Sequence, residues 1–160
     1  MGDITIALAA ERDIALLDTA LRQLSADLGD RHMACKDSLA AAVCGPDAHS
    51  IAILAHRSGA VAGALLAAPV FSTIWGGAGL FVTDLWVAAP ERGKGLSRRL
   101  IATALHEGAR RRAAQFVKLA VYENNPEARA AYTRLGFTAQ TDETNMILTG
   151  KALNTLKESQ

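Results

Sequence analysis

The amino-acid sequence predicts an α/β fold in which a mixed sheet carries helices on both faces. Three observations lead to this class. Apolar runs typical of strands alternate along the chain with segments of helical periodicity. Residues 80–121 have the order strand, helix, strand, which is the unit that builds parallel pairing. The length of 160 residues fits one domain with a large buried core, so we expect a single domain over residues 1–160.

The first half of the chain is predicted to hold three strands and two helices. Apolar residues at three- and four-residue spacing give the first helix an apolar face, and Gly45 with Pro46 stops the second. Pro69 is expected to end the last strand of this half. The predicted elements are an edge strand at residues 4–8, helices at 11–28 and 37–44, and strands at 50–56 and 61–68 joined by a turn at 57–59.

The second half is predicted to alternate strands and helices. Its first helix ends at Arg110, Arg111 and Arg112. Such a triplet can contact a coenzyme or a nucleic acid, but it is also favourable beside the negative end of a helix, and we favour the latter interpretation. Pro126 suits the first turn of the next helix, and Gly136 suits its end. The predicted elements are a strand at 79–87, helices starting at 96 and 126, strands at 116–122 and 146–148, and a loosely packed or mobile tail after Gly150.

Residues 59–83 contain no charged side chain, and on length alone such a run suggests a transmembrane helix. Pro69 and a glycine cluster that starts at Gly76 interrupt it, and the pieces on either side look like strands. We therefore predict two buried strands and a loop, with no membrane association. The net charge of +1 gives no support for a nucleic-acid-binding protein, which is normally strongly basic.

The cysteine content indicates the compartment. Cys35 and Cys44 lack the close pairing of a zinc or redox motif, so we expect free thiols and no bound metal. The N-terminus also lacks a basic-then-apolar signal pattern. These features predict a cytoplasmic protein.

The most informative stretch is the end of the strand at 79–87 with the loop and helix that follow it. Gly93 and Gly95 allow the backbone to turn tightly and to approach a ligand without a Cβ in the way. The first amides of a helix have no intrahelical partner and lie at the positive end of its dipole. Together these features predict an anion site, best suited to phosphate. Nearby cations of matching sign are Arg92, Lys94, Arg98 and Arg99.

Two common phosphate loops do not match this stretch. A P-loop needs Gly-Lys-Ser/Thr, and here Gly95 follows Lys94. A Rossmann turn needs a glycine where Arg98 stands. On the loop alone, an ordinary glycine turn before an amphipathic helix stays possible. The run from Arg92 to Ser97 fits Arg/Gln-x-x-Gly-x-Gly/Ala and resembles the acetyl-CoA pyrophosphate loop of the GNAT N-acetyltransferase superfamily, with Ser97 in place of the usual Gly or Ala.

A second motif supports the same resemblance. The run from Asn125 to Phe137 matches the superfamily pattern Asn-x-x-Ala-x-x-x-Tyr-x-x-x-Gly-Phe. The two motifs occur in the right order with a strand, a helix and a strand between them. The resemblance covers about residues 80–140 by motif, and the N-terminal half only by its order of elements. It implies a GNAT fold, whose mixed and mostly antiparallel sheet is splayed at its centre.

The resemblance also implies a role for each matching residue. The backbone at Leu85, Trp86 and Val87 would pair with the pantetheine arm of acetyl-CoA like an added strand, and Asn125 would touch the same arm. Tyr132 would be the general acid that protonates the departing CoA thiolate, since a phenol with a pKa of about 10 is protonated at neutral pH. The residues implied to hold the pyrophosphate are Arg92, Gly93, Lys94, Gly95, Leu96, Ser97 and Arg98.

Acetyl transfer needs a neutral amine, so a group must remove a proton from the acceptor, usually a carboxylate. Asp84 interrupts an apolar strand just before the loop, where an unpaired charge is costly, and we predict it as this base. Its neighbour Thr83 could hold a water. Glu123, at the end of the following strand, is the alternative.

A narrower resemblance concerns the acceptor. Residues 70–77 and 80–87 look like the spermidine/spermine (diamine) N-acetyltransferase group and its thialysine-acetylating relatives. An acidic pair usually stands there in place of Thr83 and Asp84, so this chain lacks one carboxylate. We predict acetyl transfer to a primary amine of a small polyamine-like or amino-acid-like acceptor. The carboxylates that could form an acidic pocket for a dication are Asp27, Asp30 and Asp84.

Two alternatives stay open at this point. The acceptor can instead be a protein lysine or N-terminus, or the chain can be a module that binds acyl-CoA without turnover. Thr83 favours the second alternative, and Tyr132 argues against it. Many relatives pair, so the resemblance also implies a homodimer.

Overall fold

The structure is a computed structural model that describes residues 3–109 and 114–159. It divides into two compact units, Met1–Tyr122 and Glu123–Gln160. Among the described residues, the first unit holds the sheet and three α-helices, and the second holds two more helices. The predicted cationic triplet at Arg110, Arg111 and Arg112 lies outside the described residues. A single domain over residues 1–160 stays a prediction.

The strands of the first unit form one five-stranded sheet whose spatial order follows the chain. Neighbours among the first four strands are antiparallel, and the fifth pairs parallel with the fourth, so the predicted mixed, mostly antiparallel sheet is confirmed. The strands are β1 (Ile4–Leu8), β2 (Ile51–Arg57), β3 (Ala60–Ser72), β4 (Gly77–Val87) and β5 (Phe116–Leu119), and the helices are α1 (Ile14–Leu28), α2 (Lys36–Cys44) and α3 (Leu96–Ala109), with 3-10 turns at Glu11–Asp13 and Ala89–Glu91.

Side chains along each strand point alternately to one face of the sheet and the other. Apolar residues occupy both faces, and helices cover both. Leu54 and Ala64 pack in the same core cluster as Leu17 of α1. Gly63, one residue earlier on β3, faces α3 instead, and a Cβ there would lie only 3.1 Å from Leu100 Cδ1. The absent side chain lets α3 lie close against β3, which holds the start of that helix beside the end of β4.

Pro69 does not end β3, contrary to the expectation from sequence. The strand continues to Ser72, and Pro69 lies opposite Leu80 of β4. The pairing of β3 with β2 stops at Ala67, so beyond it one side of β3 has no neighbouring strand. A proline is tolerated there because its missing N–H removes no hydrogen bond from a ladder.

The charge-free run over residues 59–83 forms β3 and the first part of β4, as the broken apolar pattern predicted. Within the part of the chain that the structure describes, no helix combines the length and the apolar character needed to cross a membrane.

The second unit confirms one predicted helix and corrects one predicted strand. It contains α4 (Pro126–Arg134), as predicted, and the tail that starts at Gly150 forms α5 (Gly150–Lys157), in which no residue is buried. The predicted strand at residues 146–148 is wrong, since these residues have no regular structure and Met146 is 91% exposed. Strand preference depends on a neighbour that pairs with the backbone, and the described residues of this unit include no other strand.

The core of the first unit gives a stability prediction. Leu17 is fully buried on α1, while the adjacent Leu16 is 43% exposed. Leu17→Ala should lower the free energy of unfolding by about 2–5 kcal/mol, because it removes a buried side chain and leaves a cavity. Leu16→Ala is the matched control and should change it by less than about 1 kcal/mol. Urea unfolding of both variants tests this, and equal losses would contradict the assignment of the buried face of α1.

Candidate active site

The two parallel strands of the first unit part before β4 ends. Their pairing joins Gly79, at the start, to Phe116, and Val82, at the end, to Leu119. β4 continues beyond this point to Val87. β5 was predicted to reach residue 122 but stops at Leu119, because no strand among the described residues pairs with it beyond that point. The sheet is therefore open between the last residues of β4 and the segment after β5.

A β-bulge lies where the strands part. Leu66 of β3 pairs with Asp84, but the next residue, Ala67, pairs with Val82, so that Thr83 is an extra residue in β4. Its Oγ1 donates a hydrogen bond to the carbonyl of Leu66 at 3.2 Å. A bulge bends its strand and increases the local twist, and this accounts for the departure of β4 from β5.

The backbone of β4 after the bulge presents hydrogen-bonding groups to the opening. The amide of Ala88 donates to the carbonyl of Ala62 at 2.9 Å. Hydrogen-bonded pairs alternate along an antiparallel ladder, so Trp86 also directs its backbone groups to β3, and Leu85 and Val87 direct theirs away from it. The open edge of β4 is therefore formed by Leu85 and Val87, with Trp86 between them.

The loop after β4 has the geometry of an anion site. Gly93 and Gly95 have φ values of +74° and +78°, a left-handed conformation that favours glycine. A Cβ at either glycine would meet no described atom within 4 Å, so space is open beside both. The first helical bond of α3 runs from the Arg99 amide to the Gly95 carbonyl at 3.3 Å. The amides of Leu96, Ser97 and Arg98 come before Arg99 in the chain. No carbonyl of the helix is placed to accept a hydrogen bond from them.

The cationic side chains around this loop make different hydrogen bonds and ion pairs. Arg92 donates from Nε to the Val87 carbonyl at 2.9 Å and pairs with a carboxylate of α1. Lys94 Nζ lies 3.7 Å from Glu91 Oε2. Arg99 donates to the Ile4 carbonyl of β1 at 3.0 Å, so its side chain is directed to the sheet edge and away from the loop. Arg98 is exposed in the first turn of α3.

A buried ion pair that the sequence analysis missed anchors the loop. Glu91 is only 7% exposed, and its two carboxylate oxygens lie 2.9 and 3.1 Å from Nε and Nη2 of Arg57. Arg57 ends β2, 34 residues earlier in the chain, and no sequence pattern connects it to Glu91. A pair of this kind is stable in a protein interior only when both charges are matched in geometry. It fixes the residue that immediately precedes the loop.

The end of α1 and the start of the loop after it contact both sides of the opening in the sheet. Asp27, in the last turn of α1, accepts a hydrogen bond from Trp86 Nε1 of β4 at 3.2 Å. Asp30 accepts one from the Tyr122 hydroxyl at 3.0 Å, and this bond raises the pKa of that phenol. Tyr122 follows β5, so the two carboxylates lie on opposite sides of the same opening.

Asp84 lies on the face of β4 that carries α1. By alternation it shares this face with Trp86, which packs against the core cluster of α1 and α2. Its side chain is half-buried, and within the described residues its carboxylate makes no hydrogen bond or ion pair. The Asp84 carboxylate therefore has no partner among the described residues, whereas Asp27 and Asp30 are engaged with neighbours.

The rest of the loop between α1 and α2 is held by a second buried carboxylate that the sequence analysis missed. Asp18 is 2% exposed and lies 2.8 Å from Arg22 Nε and 3.3 Å from His32 Nε2. His32 Nδ1 also lies 3.3 Å from Ser25 Oγ. Burial alone raises the pKa of Asp18, but Arg22 and His32 outweigh it and bring the pKa below its ordinary value.

The second unit carries the other two predicted site residues. Asn125 caps α4, since its Oδ1 accepts a hydrogen bond from the Ala128 amide at 3.1 Å and its two amide N–H groups are left for other partners. Tyr132 is half-buried in α4, with its ring 5.7 Å from that of Phe137 in an edge-on contact. Burial raises the pKa of the Tyr132 hydroxyl, which therefore stays protonated at neutral pH.

Comparison with known proteins assigns the family. A sequence model of the acetyltransferase (GNAT) family matches residues 15–137. The chain belongs to this family. The GNAT family uses acetyl-CoA as its acetyl donor. A search of curated proteins found no match.

Solved structures share the fold of this acetyltransferase at low sequence identity. An integron cassette protein from V. cholerae has a TM-score of 0.75 and 20% identity, covering 98% of each chain. An aminoglycoside acetyltransferase from an uncultured soil metagenomic sample, in complex with sisomicin, has a TM-score of 0.74 and 16% identity over 92% of this chain and 97% of its own. The aminoglycoside N-acetyltransferase AAC(6')-Iy, in complex with CoA, has a TM-score of 0.73 and 15% identity over 94% and 97%.

Metal chemistry has no candidate site in the residues that the structure of this acetyltransferase describes, since they contain no group of three or more His, Cys, Asp or Glu side chains that could hold an ion.

Asp18 gives a prediction for the acid stability of this acetyltransferase. A carboxylate whose pKa is lowered by folding stabilises the protein above its unfolded pKa of about 3.9 and loses this contribution as the pH falls through the folded value. Asp18→Asn should lower the unfolding free energy by about 2 kcal/mol at neutral pH. The difference from the unaltered protein should shrink below about pH 4. Urea unfolding across pH tests this, with exposed Asp47 changed to Asn as control, and a difference independent of pH would contradict it.

Proposed function

We propose that this acetyltransferase transfers the acetyl group of acetyl-CoA to a primary amine of a small polyamine-like or amino-acid-like acceptor. One observation carries the proposal: the open edge of β4 runs directly into the glycine loop and the first turn of α3. An extended chain with polar groups can pair with such an edge, and a pyrophosphate at its end suits unpaired helix amides. Acetyl-CoA has both parts in that order.

In this proposal the coenzyme lies along the edge and the loop. Leu85 offers its amide and carbonyl to the pantetheine arm, and Val87 offers its amide, since its carbonyl accepts a hydrogen bond from Arg92. Asn125 offers its side-chain amide N–H groups. The pyrophosphate lies against the open positions beside the two loop glycines, where backbone amides and cations meet its charge. The loop residues in this role are Arg92, Gly93, Lys94, Gly95, Leu96, Ser97 and Arg98.

The proposed chemistry needs one proton acceptor and one proton donor. Asp84 takes the proton of the acceptor ammonium, directly or through a water beside Thr83, and the neutral nitrogen attacks the thioester carbonyl. The new C–N bond forms as the C–S bond breaks, and the electron pair of that bond leaves on the CoA sulfur. Tyr132 gives its proton to this thiolate, and the second proton that the nitrogen loses on becoming an amide restores the Tyr132 phenol. The unpaired carboxylate of Asp84 and the protonated phenol of Tyr132 support these roles.

The acceptor is proposed to be cationic. Asp30 and Asp84 belong to the segments around the opening of the sheet, and a positive acceptor is attracted to such charge, whereas the charge of Asp27 is paired with Arg92. The sisomicin complex of a fold relative supports an amine acceptor, because aminoglycosides carry several primary amines. Thr83, in place of the usual acid of the diamine group, favours an acceptor that differs from spermidine. A homodimer and a cytoplasmic location stay predictions.

Thiol release from acetyl-CoA, measured against a panel of amines, tests this function. The panel contains spermidine, putrescine, lysine, thialysine, an aminoglycoside and short peptides, and acetyl-CoA binding is followed in parallel. Turnover on one class of small amine supports the proposal. Turnover on peptides alone indicates a protein acetyltransferase. Binding without turnover on any amine indicates an acyl-CoA-binding module.

Gly95→Val should abolish acetyl-CoA binding, because a branched side chain would occupy the space beside the loop where we place the pyrophosphate. Gly59→Val is the matched control, since Gly59 has a φ of +83° and equally open surroundings in the turn between β2 and β3. Both variants carry similar backbone strain. Calorimetric titration with acetyl-CoA should show loss of binding in the first variant only, and retained binding there would remove the loop from the site.

Tyr132→Phe should lower kcat by about 10²- to 10⁴-fold while acetyl-CoA affinity stays near that of the unaltered protein, because only the proton donor is lost. The ring packing against Phe137 is preserved in this variant. Thermal unfolding provides the control for an indirect effect of folding. An unchanged kcat would show that another group protonates the thiolate.

A further inference from the structure

A carboxylate in the last turn of α1 links that helix to both ends of the turn out of β4. Asp27 Oδ2 accepts a hydrogen bond from Trp86 Nε1 at 3.2 Å and lies 2.5 Å from Arg92 Nη2. Asp27 and Arg92 are 65 residues apart in the chain. The pair joins the helix before the acceptor-side loop to the first residue of the coenzyme loop.

The other side of the Arg92 guanidinium holds the backbone of β4. Its Nε donates to the Val87 carbonyl at 2.9 Å. The amide of Ala88 belongs to the same peptide group and donates to the Ala62 carbonyl at 2.9 Å. The peptide plane after Val87 is therefore held from both sides, by Arg92 on the open side and by β3 on the other.

This arrangement matters for the open edge of the strand. A backbone edge can bind an extended ligand only if its amides and carbonyls keep one orientation, since a rotated peptide plane would misdirect them. Val87 is the last residue of β4, and beyond the bulge it has a strand neighbour on one side only. On the open side, the hydrogen bond from Arg92 Nε to the Val87 carbonyl takes the place of a neighbouring strand.

We propose that Arg92, held in place by Asp27, is a positioning residue that fixes the open edge of β4 for the pantetheine arm. Asp27 is the second positioning residue, acting through Arg92 and Trp86. This assignment rests on the proposed function. It places the effect of the Arg92 side chain on the pantetheine arm, while the backbone of Arg92 stays part of the pyrophosphate loop and Lys94 and Arg98 supply the side-chain charge there.

Binding of two probes by calorimetric titration tests the assignment: CoA and pantetheine, which lacks the pyrophosphate and the nucleotide. The variants are Asp27→Asn, Asp27→Glu, Arg92→Gln and the Asp27→Asn/Arg92→Gln double variant. Lys94→Gln serves as the reference for a side chain that acts on the pyrophosphate, and the exposed Asp47→Asn serves as a neutral control. Unfolding free energies are measured for every variant.

The expected result is a parallel loss of affinity for both probes. The side chains of Arg92 and Asp27 are 52% and 42% exposed, so Asp27→Asn and Arg92→Gln should each weaken both probes by about three- to fivefold. The double variant should be no weaker than Arg92→Gln, because the two residues act as a unit. Asp27→Glu should restore part of the affinity, and Lys94→Gln should weaken CoA alone.

Several results would overturn the assignment. If Arg92→Gln weakens CoA and leaves pantetheine unchanged, Arg92 acts on the pyrophosphate. If Asp27→Asn changes neither affinity, or if pantetheine does not bind the unaltered protein while CoA does, the supported edge contributes nothing of its own. In all three cases the acetyltransferase function stands. Failure of the unaltered protein to bind CoA at all would instead overturn both the proposed function and this assignment.

Discussion

The backbone groups of β4 beyond its bulge are the constraint on which the rest of the site depends. Every amide and carbonyl in a sheet needs a partner, and a strand with one empty side presents unmet donors and acceptors. β4 pairs with β3 along its length but with β5 only as far as Val82. The extra residue at Thr83 lies where β4 and β5 part, and beyond it an interior strand has an open edge within the sheet.

Two ion pairs hold the glycine loop at the end of that edge. The buried pair of Arg57 and Glu91 fixes the residue before the loop to β2, and the half-exposed pair of Asp27 and Arg92 fixes its first residue to α1. A loop that must present several amides at once loses affinity if it has to be ordered on binding. These contacts order the loop in the structure, and they connect it to β2 and α1.

The sequence alone was sufficient for the features that depend on neighbours along the chain. The tight turn at Gly93 and Gly95, the start of α4 at Pro126 and the left-handed Gly136 after it follow from local backbone preferences. The two motifs identified the family for the same reason, because each is a short run whose residues act together locally. Predictions that needed a distant partner were less secure, as the strand expected at residues 146–148 shows.

Tertiary structure decided which charged side chains have hydrogen-bond or ion-pair partners. The sequence does not distinguish Arg92 from Arg99, or Asp27 from Asp84. In the structure, Asp84 is the one of these four residues whose side chain makes no hydrogen bond or ion pair among the described residues. Pro69 was expected to end β3, and it does not because β2 has already stopped pairing there. The sequence determined the fold family, and its two motifs select the glycine loop and Tyr132 as site candidates, since local spacing encodes them. The positioning of that loop and the state of each carboxylate depend on contacts between residues tens of positions apart, which only the folded chain brings together.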